Sequence, residues 1–196
     1  MARFPRGGID FIQHELRVQL NSEDGKYEEV VKLNGAMMIQ RTDPYRNKEG
    51  FRTIDFKVIS WVASGWIESM GAAISYVSAE GEDQPVSTIE AEQPKADYPA
   101  TFKFNVLFDV RINNELVFKR LHGRPEGQGF HQVPPTGTRR LSPTITRFVD
   151  LDQVRVNHPL LGTILAKPID CNDNSGKTLM KLPGKDLYRP LGIRIR

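Results

Sequence analysis

A chain of 196 residues and 22.2 kDa, with 39% hydrophobic and 26% charged residues, has the make-up of one domain that can bury a core without staples. Its single cysteine, Cys171, excludes an intrachain disulfide, and no run approaches the roughly 20 apolar residues of a spanning helix. The net charge of +3 is uneven: residues 1–8 carry +2 and residues 177–196 carry +5, which leaves −4 for the body between them. Basic character therefore belongs to the ends, which argues against nucleic-acid binding by a charged face. The N-terminus lacks the apolar run of a signal peptide, so a soluble, cytoplasmic chain is the expectation.

Residues 1–8 combine arginines, a proline and glycines, the composition of a flexible basic arm. From His14, Leu16, Val18 and Leu20 alternate with Glu15, Arg17 and Gln19, the period of a half-buried strand. Residues 21–26 read as a polar turn. Val31, Leu33, Gly35, Met37 and Ile39 give a second strand that ends at Arg41, and Ile54, Phe56 and Val58 give a third. Ile59, Trp61 and Val62 then break the alternation, as a β-bulge would. Residues 72–77 and 86–91 are further strands, the second at an edge.

The clearest pattern lies in residues 101–120. Phe102, Phe104, Val106, Phe108, Val110 and Ile112 occupy every second position, and Asn113-Asn114 offers the positive φ of a hairpin turn before a return strand at Leu116. These phenylalanines read as ordinary core, and the hairpin as scaffold. Residues 121–137 contain four glycines and three prolines, which predicts a long loop without regular structure. Short strands follow at 145–149, 153–156 and 160–166. From 171 onward a basic, extended tail is expected.

Turn signals separate strands at intervals of roughly 10–15 residues, and no apolar stripe of helical period persists. The expectation is an all-β fold, an antiparallel β-sandwich of jelly-roll or Ig-like topology. It spans residues 9–170, between a flexible arm at 1–8 and a basic extended tail at 171–196.

Candidate chemistry is sparse. Ser175-Gly176-Lys177-Thr178 matches the end of a phosphate-binding loop, but Cys171 stands where the first glycine belongs and Pro183 leaves no room for the helix. A solvated turn is expected instead. Asp170, Asn172 and Asn174 have calcium-loop spacing, yet Ser175 replaces the glycine and Lys181 the closing glutamate, so an Asx-rich turn is preferred. His122, His131 and Glu126 could supply a metal or an acid–base site from the long loop, with His158 as a possible fourth group. No serine sits in a nucleophile elbow, and Cys171 has no basic neighbour before Lys177. His14 reads as a boundary residue beside Leu16, and Trp61 as core.

The leading expectation is a non-catalytic structural or accessory subunit acting through protein–protein association or as a homo-oligomer, without a cofactor and more readily a non-enzyme than an enzyme. Its partner contacts would be Arg3, Phe4, Arg6, Trp66, Phe130, Tyr188, Arg189, Ile193 and Arg194, since aromatic residues and arginine favour interfaces and the alternation at the C-terminus suits addition to a sheet edge. Two alternatives stand beside it. One is a metal-dependent enzyme or binder using His122, His131 and Glu126. The other is a β-sandwich that binds a small apolar ligand against the Phe-rich strand.

Overall fold

The structure, a computed structural model, describes residues 2–79, 81, 83–134, 147–149, 154–158, 162–184 and 187. In chain order the strands are β1 (Gly8–Ser22), β2 (Glu28–Arg41), β3 (Tyr45–Arg46), β4 (Arg52–Ile67), β5 (Ala72–Ser78), β6 (Ser87–Ala91), β7 (Ala100–Lys103), β8 (Val106–Ile112), β9 (Glu115–Phe130), β10 (Arg147–Val149), β11 (Val154–His158) and β12 (Gly162–Lys181). One 3-10 turn, Glu68–Met70, follows β4. The all-β expectation holds, and the pairings among these strands are antiparallel. Among the described residues no helix is long and apolar enough to cross a membrane.

A two-sheet sandwich is not what forms. The strands make one sheet in the order β11-β12-β1-β2-β4-β5-β8-β9-β7-β6, and β6 returns to pair with β4. Phe56 faces both Arg41 of β2 and Ser87 of β6, while Val62 faces both Ala36 of β2 and Val77 of β5. One edge of β4 thus carries β2, and the other carries β6 and then β5, which closes β4-β5-β8-β9-β7-β6 into a ring. Alternation in sequence states which face of a strand is buried. It does not say whether the strands facing it belong to a second sheet or to the same sheet rolled over.

β1 shows how the core is built. Every even residue from Asp10 to Ser22 is buried, with Ile12, Leu16, Val18 and Leu20 as the apolar members. Asp10 is paired with Arg41, and the Ser22 hydroxyl donates to Asp24. Only His14 faces the interior without a charged or loop partner. The bulge expected near Ile59 is present, because Met38 pairs with Ser60 and Ile39 with Val58. The Asn113-Asn114 turn has φ of 49° and 66°, as its residues predict.

Two expected non-strand regions are strands. β9 runs through most of the predicted loop, to Phe130. Arg120 (φ 57°) and Gly129 (φ 76°) mark irregularities in its pairing, and backbone N–H groups at both points donate to carboxylates, of Asp109 and Glu92. β12 runs 20 residues, pairs with β1 from Ile164 to Lys181, and crosses the domain boundary expected at 170/171. Neither the Asx-rich turn nor the solvated turn at Ser175 exists: Asp170 binds Arg17, Ser175 Oγ donates to Gln13, and Thr178 Oγ1 donates to Asp10. The arm at 1–8 is held too, by a Gly7 N–H bond to Asp43 and by Leu182 N–H donating to Gly7 O.

Candidate functional site

The rolled sheet leaves a cavity of about 60 Å³, room for about two waters at the roughly 30 Å³ each takes in the liquid. β1 supplies His14 and Leu16, β2 Met37, β4 Val58 and Trp61, β5 Tyr76, and β12 Cys171 and Asp173. Facing them are Val106 and Phe108 of β8, Phe104 just before it, and Gly123, Pro125, Glu126, Gly127 and Phe130 of β9. The Gly/Pro composition that suggested a loop has a different meaning here. Gly123 and Gly127 are buried on the inward face of β9 and send no side chain into the interior. Their missing side chains help leave the space open. Phe104, Pro125 and Glu126 also line an outer groove with Lys103, Asn105 and Arg124, so these three residues form the wall between cavity and surface.

Aromatic rings dominate the lining. Trp61 stands edge-on to Phe108 with centroids 5.6 Å apart, and Tyr76 stacks on Phe108 at 5.5 Å. The Phe-rich strand is therefore partly cavity wall, which corrects its reading as plain core. Trp61, too, is half-buried core that borders open space.

Three buried polar groups enter this apolar surround, and Glu126 borders it from β9. His14 is 1% exposed, and Trp61 Nε1–H donates to its Nε2 at 2.8 Å. That bond places the ring proton on Nδ1, by the logic of the network. Burial pulls the His14 pKa down to about 4, opposed in part by the Ile12 carbonyl, so the ring is neutral. The Ile12 carbonyl lies outside hydrogen-bond geometry, so Nδ1 has no hydrogen-bond partner among the described residues, and neither has the buried Tyr76 hydroxyl. Burial alone pushes the Tyr76 phenol well above its usual range.

Asp173 lies directly opposite His14 in the β1–β12 register, with Cys171 opposite Leu16. It is 7% exposed, and burial raises its carboxyl to about 7. No hydrogen bond or ion pair reaches it from the described residues. The Cys171 thiol is pushed up by burial first and by Asp173 and Asp170 next, which makes it a poor nucleophile.

The residues expected to carry function are placed otherwise. His122 and His131 are nine residues apart along and just beyond β9, roughly 30 Å of extended chain, and cannot share a metal. His122 bonds to Asn105, His131 is exposed, and Glu126 borders the cavity alone. His158 lies on β11. No group of three His, Cys, Asp or Glu side chains among the described residues is placed to hold a metal ion. Of the partner contacts, Arg3 and Arg6 are exposed and Trp66 is 52% exposed. Phe4 and Phe130 are buried: Phe4 packs edge-on against Tyr98 with its N–H on Asp97, and Phe130 belongs to the cavity wall. Tyr188, Arg189, Ile193 and Arg194 fall outside the described residues.

No family model matches the sequence, and no curated protein matches it. A solved structure does. The fold is shared with DynF, from the dynemicin biosynthesis pathway of Micromonospora chersina: TM-score 0.57, 14% identity, 87% of this chain and 82% of that chain covered. The structural-subunit expectation is corrected by this likeness together with the cavity. It rested on a non-globular C-terminal tail, a Gly/Pro loop and the lack of a site. Residues 171–181 and most of the loop are strands, and a cavity lies inside.

What the sequence hid was the inward face of β12, where Asp173 stands. What it displayed was His14, a polar residue at an inward position between Ile12 and Leu16. A titratable side chain in phase with buried aliphatics is the signal that pointed here.

Proposed function

We propose that the protein binds a small, largely apolar compound, no larger than a single ring, inside the rolled sheet. The observation that carries this reading is the cavity itself, walled by Phe104, Phe108, Trp61 and Phe130 and left open beside Gly123 and Gly127. Aromatic walls with few polar groups are the usual make-up of a small-molecule site. DynF belongs to a biosynthesis pathway, a setting of small-molecule chemistry, and the shared fold supports a similar kind of role here. The apolar-ligand alternative is the sequence reading that agrees with this geometry.

The probe is the single-ring 4-fluorotoluene, followed by its fluorine NMR signal. Addition of protein is expected to shift or broaden that signal in a saturable way. Val106→Phe places a larger side chain in the open space, and should weaken binding at least about tenfold, which corresponds to about 1.4 kcal/mol. Because the ring enters empty volume, not packed core, the melting temperature should stay the same or rise. An unperturbed probe signal, or a Val106→Phe variant that binds as well as the parent, defeats the proposal.

A further inference from the structure

We infer that the compound held in this cavity carries a hydroxyl group on its ring, bridged between His14 and Asp173 with Tyr76 beside them. The inference rests on the binding role just proposed and names the chemical class of the ligand. It starts from the cross-strand pair. Residues directly opposite on antiparallel strands have Cβ atoms about 5 Å apart, and His14 and Asp173 are such a pair on the inward face. Yet no hydrogen bond joins them, although both are buried and His14 Nδ1 has no partner among the described residues.

The two ends are not equivalent. Trp61 occupies His14 Nε2, so the imidazole offers the cavity an N–H donor and nothing else. Asp173 offers carboxyl oxygens. A single hydroxyl satisfies both: its oxygen accepts from His14 Nδ1–H while its proton goes to Asp173. With Asp173 ionised, an ether could serve only the first, and a hydrocarbon neither. Tyr76 Oη, likewise buried and unpartnered, can give or take a further bond with the same oxygen. Two polar atoms without partners among the described residues, His14 Nδ1 and Tyr76 Oη, set beside a buried carboxyl in one apolar cavity, are costly to keep, because a buried unsatisfied group loses its hydration with no return. A hydroxylated ring returns those bonds and buries its apolar body against Phe104, Phe108 and Trp61. A ligand lacking the hydroxyl leaves the site's own groups unpaired, which is how such sites discriminate.

The experiment compares three single-ring ligands, 4-fluorotoluene, 4-fluorophenol and 4-fluoroanisole, each titrated against the full chain by fluorine NMR at about pH 8, where Asp173 is ionised and the phenol is not. The phenol is expected to bind about 10- to 100-fold more tightly than the toluene, its match in size, with the ether no tighter than the toluene. His14→Gln, which keeps an acceptor for Trp61, and Asp173→Leu should each erase most of the phenol advantage, read as the ratio of phenol to toluene affinity within each variant. A cooperative urea transition reports that each variant folds. Equal binding of phenol and toluene, or an advantage that survives Asp173→Leu, overturns the inference while the apolar-ligand reading stands. Failure of all three ligands to bind overturns that reading as well.

Discussion

Replacing Arg41 with alanine is expected to destabilise the protein by about 3–5 kcal/mol, the usual range when one partner of a buried ion pair is removed. Arg41 closes β2 and Asp10 lies near the start of β1; their side chains are 1% and 0% exposed. Arg41 Nε donates to Asp10 Oδ2 at 2.7 Å and Nη2 to Oδ1 at 3.2 Å, while Thr178 Oγ1 of β12 donates to Asp10 Oδ1 at 2.8 Å. Three neighbouring strands meet at one carboxylate. Without Arg41, Asp10 stays buried with a single hydroxyl donor, and its charge is left uncompensated. The pair as a whole contributes less than this number suggests, since taking both ions out of water offsets most of their attraction. The double variant Asp10→Leu/Arg41→Met should therefore recover to within about 2 kcal/mol of the parent. Urea unfolding of the four proteins measures both quantities. If Arg41→Ala loses under about 1 kcal/mol, the pair does not clamp these strands.

That clamp bears on the site, because β1 and β12 are the strands that oppose His14 and Asp173. It also explains why the sequence showed the two strands so unequally. In β1 the inward positions are even-numbered from residue 10 to 22 without interruption, and a period of two was visible. In β12 the register slips three times: Met180 and Thr178 pair with adjacent residues of β1, as do Ser175 and Asp173, and Asp170 and Pro168. Each slip inserts an extra residue, Leu179, Asn174 and Ile169, and each reverses the phase of the residues beyond it. Alternation was present only in pieces too short to recognise. The inward residues are also the wrong kind for a pattern search, since Cys171 and Asp173 hold positions where such a search looks for aliphatics.

β9 failed for another reason. Glycine and proline mark turns because of their backbone freedom and rigidity, and a stretch containing seven of them between 121 and 137 looked unpaired throughout. Inside a rolled sheet glycine has a further use, as a position whose missing side chain leaves volume. Composition cannot separate the two uses. Only the strands on either side decide, and β8 pairs with β9 up to Gly123 before β7 takes over near Glu126. The hairpin at Asn113 was legible because its signal is local: two residues that tolerate positive φ between two alternating runs. Closure of the ring was not, since it depends on which edge of β4 receives β6.

Between about pH 4 and 6.5 the stability of the parent should change little on account of the cavity, while two single variants should tilt strongly in opposite directions. Asp173 rises from an ordinary 3.8 to about 7 on burial. Below about pH 4 its carboxyl is protonated whether the chain is folded or not; above that the unfolded chain releases the proton and the folded chain keeps it. Stability is therefore lost as pH rises from about 4 to 7, by about 4 kcal/mol in all at about 1.4 kcal/mol per pH unit. His14 falls from 6.5 to about 4. Below about pH 6.5 the unfolded chain takes a proton that the folded chain refuses, so stability is lost as pH falls, by about 3 kcal/mol down to pH 4. Over the shared window the two slopes oppose and nearly cancel. Asp173→Asn removes one slope, and its stability should climb by about 3 kcal/mol from pH 4 to 6.5. His14→Gln removes the other, and its stability should drop by a similar amount over the same range. Glu126 faces the cavity in all three proteins and drops out of the comparison, and the Cys171 thiol and Tyr76 phenol titrate above the window. Urea midpoints at three pH values decide the matter: if Asp173→Asn runs parallel to the parent, Asp173 does not titrate where its burial places it. The opposed slopes also give the site its working character, because near neutral pH His14 stays an uncharged donor while Asp173 is poised to take or give a proton.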